Sequence, residues 1–179
     1  MKTTKAILAE LGACPEAVKW AGRKTPKKAW ETCKRGEWLL WIAGRLDVDR
    51  KLLVMAACAC ARTALKYVPD GEDRPRIAIE TAEAWVRGEA TIDQVRSASY
   101  AAAYAACAAN AANAAHAANA ANAAYAANAA SYAAPLAAYA ANAAHAADAA
   151  ARKDMAAIVR KTIPFSVIKK AIANYEEVK

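Results

Sequence analysis

The feature that most constrains this chain is a repeat of two alanines and one other residue, which runs from about residue 105 to residue 148. Alanine accounts for 55 of the 179 residues, and it is the strongest helix former because it loses no side-chain entropy when it orders. A stride of three advances about 300° on an α-helix, so the third residues spiral round the helix and cannot line one face. The repeat therefore predicts a helical rod whose asparagines keep its surface hydrated on all sides.

The first half of the chain has the pattern of short helices separated by turn residues. Thr25 with Pro26 is typical of a helix start, Gly36 is predicted to end the helix that follows, and Thr91 with Gln94 forms a capping box. No alternating apolar pattern of strand length is present. The predicted fold class is all-α, with several short helices packed on long alanine-rich helices.

Charge and composition divide the chain into three parts. Residues 1–96 carry a net charge of +5, residues 97–151 of −1 and residues 152–179 of +4. We interpret residues 1–96 as a helical N-terminal domain and residues 97–151 as an alanine-rich helical segment. Residues 152–179 regain an ordinary apolar face, so we expect a C-terminal helical segment that packs on the N-terminal domain.

Tyrosines form a second pattern within and beside the repeat. On one continuous helix they fall in an arc of about 100°, the width of an ordinary buried stripe. The rod is too long for the rest of the chain to cover, so it either folds back as a hairpin near Pro135 or continues as a kinked helix that pairs with another copy. Unless it folds back, we expect a homo-oligomer whose interface contains Tyr100, Tyr104, Tyr125, Tyr132 and Tyr139.

Targeting signals and cysteine usage point to a cytoplasmic protein. The N-terminus lacks an apolar export region, and a polar residue at nearly every third place of the repeat makes membrane insertion costly. Five cysteines without an export signal favour reduced thiols. Cys58 and Cys60 point about 200° apart on a helix, which makes them poor joint ligands for zinc. We expect no metal and no cofactor.

A catalytic site is hard to build from these residues. The two histidines, His116 and His145, lie in the repeat, and neither has a nucleophile and an acidic partner at helical spacing. The sequence has no glycine-rich phosphate loop, no HExxH pair and no EF-hand loop. We therefore expect a protein that is not an enzyme.

Two polar loops provide the candidate binding residues. Residues 71–76 crowd two acids, two arginines and a proline before a helix, and arginine offers a planar fork of donors for carboxylates or phosphates. In the alternative interpretation Asp73 caps the helix and the arginines pair with Glu72 or Asp49 inside the chain. The second loop comprises residues 47–50, and either Asp47 or Asp49 in it is a candidate helix cap. The candidate binding residues are Glu72, Asp73, Arg74, Arg76, Asp49 and Arg50.

Four stretches of the chain are recognisable as a set. They are CPEAVKWAG at residues 14–22, RGEWLLWIAGRLDVDRKLLVMAACACARTAL at 35–65, YVPDGEDRPRIAIETAEAWVRGEAT at 67–91 and MAAIVRKTIPFSVI at 155–168. Together they resemble a family named "putative immunity protein", which consists of alanine-rich helical proteins of phage and bacterial genomes. The resemblance covers nearly the whole chain. It implies a toxin or antitoxin-like partner and no known reaction.

Three functions agree with these features, and the first is favoured. It is a non-enzymatic binding protein of immunity type that occludes a toxin or defence component, which would serve counter-defence. The alternatives are an oligomeric sponge that sequesters an anionic signalling nucleotide at Arg74 and Arg76, and a basic nucleic-acid-binding protein, since the net charge is +8. Nucleic-acid binding would weaken steeply with salt, whereas a sponge would show a ligand-dependent rise in melting temperature.

Overall fold

The computed structural model describes residues 2–63, 65, 68, 70–109 and 149–177, and the regular elements in these ranges are nine α-helices without a strand. The all-α prediction is confirmed. The helices are α1 (Thr4–Glu10), α2 (Pro15–Ala21), α3 (Pro26–Thr32), α4 (Gly36–Arg45), α5 (Arg50–Arg62), α6 (Arg74–Arg87), α7 (Ile92–Ala109), α8 (Ala149–Thr162) and α9 (Phe165–Glu177).

Three predicted helix starts have the expected caps. Thr25 Oγ1 accepts a hydrogen bond from the backbone N–H of Lys28 at the start of α3. Asp49, rather than Asp47, caps α5 by accepting from two backbone N–H groups of its first turn. At α7, Thr91 and Gln94 form the predicted reciprocal pair, with distances of 2.7 and 3.2 Å. Each cap satisfies backbone donors that the first turn of a helix leaves unpaired.

The prediction that Gly36 ends a helix is wrong. Helix α3 already ends at Thr32, and Cys33 follows it in an extended conformation. Gly36 instead begins α4, close against α8. A Cβ atom placed on Gly36 would lie 2.8 Å from Met155 Cβ and 2.9 Å from the backbone N of Ala156. The glycine is therefore required by a contact between helices, since real Cβ atoms do not approach other atoms so closely.

The larger hydrophobic core joins the first five helices to the last two. Helix α8 packs on both α4 and α5, and α9 contacts α3. Arg160 on α8 also donates a hydrogen bond of 2.7 Å to the carbonyl oxygen of Cys33, just beyond α3. The C-terminal part of the chain contributes Met155, Ala156, Val159, Ile163, Ile168 and Ile172 to this core.

A second core lies between α5, α6 and α7. Helix α5 belongs to both cores, because Cys58 Sγ lies 4.0 Å from the carbonyl oxygen of Ile79 on α6, whereas Cys60 Sγ lies 3.9 Å from that of Met155 on α8. The prediction that these two thiols point to opposite sides of one helix is confirmed. The buried members of the second core are Val54, Ala57, Cys58, Ala61, Ala78, Ile79, Ala82 and Val95.

The alanine repeat lies mostly outside the described residues. Helix α7 enters it as far as Ala109, and α8 begins at Ala149. The predicted rod, its kink or hairpin, and its packing against the short helices therefore stay predictions. Among the helices that are described, none combines the length and the apolar character needed to cross a membrane.

We predict that Gly36→Ala lowers the free energy of unfolding by about 3 kcal/mol, the upper end of the range for overpacking, because backbone as well as side-chain atoms of α8 would have to move. Gly88→Ala is the control. Gly88 has a φ of 83°, and a Cβ atom added there would meet no atom within 4 Å, so alanine costs only the left-handed backbone, about 1 kcal/mol. Urea denaturation measures both, and an equal or smaller loss at Gly36 would contradict the close contact.

We predict that Cys58 and Cys60 resist alkylation in the folded protein. Burial raises the pKa of each thiol to about 12, whereas Cys14 is exposed, and the thiolate is the reactive form. Iodoacetamide at pH 8 should label Cys14 but not Cys58 or Cys60 until urea is added, as mapped by peptide mass spectrometry. Because both folded pKa values exceed the ordinary 9.0, stability should fall as the pH rises from 9 towards 12. Equal labelling rates for Cys14 and Cys58 would refute the prediction.

Candidate functional site

The loop that precedes α6 holds its first arginine against an acid two residues earlier. Arg74 Nε donates a hydrogen bond of 2.7 Å to Glu72 Oε1, its Nη2 donates to Glu72 Oε2, and its backbone N–H donates to Oε1 at 3.1 Å. This two-pronged pair fixes the guanidinium plane. The hydrogen bonds from Arg74 lower the pKa of Glu72, so this carboxyl group stays ionised below its usual range.

The second arginine of the loop bridges two acids. Arg76 Nη2 lies 3.0 Å from Asp73 Oδ1, and its Nη1 lies 3.1 Å from Glu80 Oε1, one turn further along α6. Asp73 occupies the cap position of α6, but its side chain makes no capping hydrogen bond and pairs with Arg76 instead. Of the predicted internal pairs, the one with Glu72 is present. Both arginines remain exposed in spite of this pairing.

The structure places Asp49 and Arg50 apart from these ion pairs. Asp49 caps α5, and among the described residues neither Arg74 nor Arg76 pairs with it. Asp49 also lines a cleft between the α4–α5 connection and α9, which includes Asp47 and Lys170. Arg50 is exposed at the first position of α5. The six candidate binding residues therefore lie in two places. Four of them form two ion pairs at the start of α6, Arg74 with Glu72 and Arg76 with Asp73, and the other two lie at the start of α5.

An exposed apolar side chain stands next to the paired arginines. Ile77 on α6 is 45% exposed, although its neighbours Ala78 and Ile79 are completely buried. Met55 on α5 is 39% exposed. Arg62 on α5 makes a two-pronged pair with Glu83 on α6, at 2.9 and 2.7 Å, which holds the two helices side by side. We call Ile77, Arg74, Arg76 and Glu80 the α6 surface.

A cavity of about 400 Å³ lies between α1–α4 and α9, against the larger core. Four of the five tryptophans line it. The rings of Trp20 and Trp38 meet edge to face, with centroids 5.9 Å apart, an arrangement favoured by the charge distribution of aromatic rings. The tryptophans are Trp20, Trp30, Trp38 and Trp41.

Two buried polar atoms in the cavity wall have no partner among the described residues. Glu37 is 4% exposed and accepts a hydrogen bond of 2.5 Å from Arg35 Nε on its Oε1 atom, while its Oε2 atom has none. Trp30 is also 4% exposed, and its Nε1–H has no acceptor. A buried donor or acceptor without a partner costs about 1–3 kcal/mol. Both atoms are closed off from solvent, although their residues line the cavity.

The cations near the cavity are already engaged by the chain itself. The Arg35 guanidinium lies 4.2 Å from the ring centroid of Trp38, and the same group pairs with Glu16 at 2.8 Å. Lys24 Nζ lies 4.4 Å from the ring centroid of Trp20. Cation–π contacts of this kind hold both the charge and the ring in place.

The sequence interpretation missed this cavity. Trp38 and Trp41 are partly buried against the larger core. The sequence interpretation did not single out Trp20, Trp30 or Glu37. The available signal was an acid inside the apolar run of residues 36–42, with four tryptophans within residues 20–41.

Other predicted residues are only partly described. Tyr100 is 57% exposed on α7, the side chain of Tyr104 lies outside the described part, and so do Tyr125, Tyr132, Tyr139 and both histidines. Cys14, Cys33, Cys58 and Cys60 are free thiols. Within the described ranges, no group of three or more histidine, cysteine or acidic side chains is arranged to hold a metal ion.

Comparison with known proteins identifies the family but no individual relative. No curated protein and no solved structure matches the chain. Residues 46–165 match the family described as "Imm-5 like putative immunity protein", and this range contains the loop before α6 and the whole α6 surface. Since the match spans well over half of the sequence, the chain belongs to the Imm-5 like putative immunity protein family.

Proposed function

We propose that this chain is a non-enzymatic binding protein that neutralises a toxin or defence component by covering part of its surface, and that it does so through the α6 surface. The observation that carries this proposal is Ile77, which is 45% exposed beside arginines that ion pairs hold in place. Membership of an immunity-type family supports a protein partner in general.

The α6 surface combines an exposed apolar side chain with arginines, a residue type that protein interfaces favour. Arginine is enriched among the residues that dominate binding energy, and polar neighbours exclude water around them. Arg74 and Arg76 are held by Glu72, Asp73 and Glu80 before any partner arrives. Ordering a long side chain on binding costs about 0.5–1.5 kcal/mol, so side chains held in place beforehand reduce that loss.

The charge of this surface favours a protein over an anionic nucleotide. Its two arginines face three carboxylates, those of Glu72, Asp73 and Glu80. A phosphate group would have to displace these carboxylates or bind beside them against like charge. A protein surface with charges of both signs can match the arrangement without breaking any of these pairs.

The buried thiols support a function without catalysis. A nucleophilic cysteine needs a lowered pKa and an accessible sulfur atom. Burial instead raises the pKa of Cys33, Cys58 and Cys60, those of the last two to about 12. These thiols therefore behave as small core residues.

We predict that Ile77→Glu weakens partner binding at least tenfold, which corresponds to about 1.4 kcal/mol, and leaves the melting temperature close to that of the parent protein because residue 77 is exposed. The full chain, immobilised, first captures its partner from a lysate of the native host, and calorimetry with the purified partner then gives Kd. Arg74→Ala/Arg76→Ala is expected to weaken binding as well.

The control for these variants is Ala173→Glu, which introduces the same charge at an exposed position of α9. It should bind with the parent's affinity. If Ile77→Glu folds and binds as tightly as the control, the α6 surface is not the contact site. If instead Arg74→Ala/Arg76→Ala melts well below the parent, its ion pairs serve stability.

We also propose that the chain self-associates through its tyrosine stripe, of which Tyr100 is the member whose exposure is known, at 57%. Tyr100→Glu should shift the mass measured by light scattering from an oligomer towards the monomer, because a carboxylate in an aromatic contact loses its hydration. Ala173→Glu again serves as the control. A parent protein that is monomeric at all concentrations would exclude the proposal.

A further inference from the structure

We infer that the cavity between α1–α4 and α9 binds a small amphipathic carboxylate, whose apolar body lies among the tryptophans and whose negative charge lies at the mouth beside Lys24. The cavity supplies the apolar surface, and Lys24 supplies the opposite charge. The site is distinct from the α6 surface, and the proposal does not depend on the function of that surface.

The size and the wall of the cavity suit a compact apolar body. Its volume is about 400 Å³, and it is partly open to solvent. Small-molecule sites have volumes of about 300–1,000 Å³, and a cavity of about 150 Å³ already holds benzene. Aliphatic side chains complete the wall between the indole rings, among them Ile7, Ile42 and Ile168. A chain of eight carbon atoms therefore has room inside, with its polar end left at the opening.

Two contacts hold Lys24 at the edge of this cavity. Thr4 Oγ1 donates a hydrogen bond of 2.6 Å to the carbonyl oxygen of Lys24, and Lys24 Nζ lies 4.4 Å from the ring centroid of Trp20. Thr4 and Trp20 both line the cavity, and Lys24 is half-buried. A carboxylate at the mouth can therefore meet the ammonium group while the apolar body of the ligand stays inside.

Within the part of the chain that the structure describes, no carboxylate offsets the charge of Lys24. Its Nζ donates a hydrogen bond to the carbonyl oxygen of Trp20, and both this oxygen and the Trp20 ring are uncharged groups. An ammonium group has three N–H donors, so donors remain for a ligand. Because salt screens a partly buried charge less than an exposed one, Lys24 can attract an anion effectively.

The other two cations that contact tryptophans of the wall lie near acids. Arg35 pairs with Glu16 and Glu37. Arg45 lines the second cleft together with Asp47. A ligand with a single negative charge therefore matches the cation that remains, which favours a carboxylate over a multiply charged phosphate.

The helices that form most of the cavity also carry most of the net positive charge. Residues 1–36, which include α1–α3, contain nine lysines and arginines against three acids, whereas residues 37–109 contain nine against ten. An excess of one sign of charge raises the local concentration of oppositely charged ligands. This end of the molecule therefore favours an anionic ligand and disfavours a cationic one.

Three probes with the same apolar chain separate charge recognition from simple filling of the cavity. Octanoate is an anion, octanamide is uncharged, and octylammonium is a cation. Calorimetry at neutral pH and low salt on the full chain should show one octanoate bound per chain, at least fivefold more tightly than octanamide, with octylammonium the weakest. Equal affinities, or tighter binding of either other probe, would overturn the inference. So would the absence of saturable octanoate binding at roughly 1 mM, the weak end of specific affinities.

Substitution of the lysine tests its part in binding. Lys24→Met keeps an apolar stem and removes the charge, so octanoate should lose at least fivefold in affinity whereas octanamide should not. Lys153→Met is the matched control, since Lys153 is exposed on α8, a helix that contributes no residue to the cavity wall. It should leave the octanoate affinity unchanged. An unchanged preference for octanoate in Lys24→Met, or an equal loss in the control, would overturn the assignment.

A measurement on the parent protein keeps the test decisive if Lys24→Met fails to fold, as judged by its melting curve. Raising the salt concentration from about 0.05 M to about 1 M screens charges at the mouth of the cavity. The advantage of octanoate over octanamide should shrink accordingly. An advantage of the same size at both salt concentrations would overturn the inference.

Tryptophan fluorescence locates the bound probe. Trp85→Phe removes the tryptophan that does not line the cavity, so the four that remain all belong to the wall. Octanoate should displace water from the partly buried rings of Trp20, Trp38 and Trp41 and shift the emission to shorter wavelength. Saturation of this variant with octanoate, followed by calorimetry, without any change of its emission would overturn the placement of the ligand in the cavity.

Discussion

The close approach of α4 to α8 at Gly36 is the contact on which the rest of the structure depends. It brings Met155 and Ala156, more than a hundred residues further along the chain, directly onto the first turn of α4. Arg160 then reaches the carbonyl oxygen of Cys33, and the apolar face of α8 completes the larger core. Because interiors are close-packed, a side chain at residue 36 could not be absorbed without moving α8.

Helix α5 packs against both hydrophobic cores and so separates two regions of the structure. Cys60 faces α8 and the larger core, while Cys58 faces α6 and the second core. The tryptophan-lined cavity belongs to the first region, and the α6 surface belongs to the second. The two candidate sites therefore do not compete for residues.

Local signals in the sequence were sufficient for the helices but not for the cavity. The caps at Thr25, Asp49 and Thr91 act within one turn, so the spacing of residues predicts them. The role of Gly36 depends on a helix far along the chain, and the same residue type also ends helices, which is why the sequence suggested a stop. The cavity that Trp30 and Glu37 line is formed by residues of several helices, so no periodicity in the sequence brings its walls together.

The alanines of the second core explain why Ile77 is left exposed. The interface between α5 and α6 is made of small side chains, among them Ala57, Ala61, Ala78 and Ala82, and small side chains let helix axes approach closely. Ile79 and Val54 complete this core with no exposed surface. Because these side chains already fill the interface, the exposure of Ile77 is not a defect of packing. Full burial of an isoleucine side chain is worth about 1.5–3 kcal/mol. Ile77 is 45% exposed, so contact with the proposed partner would gain only the part of this energy that the exposed surface represents.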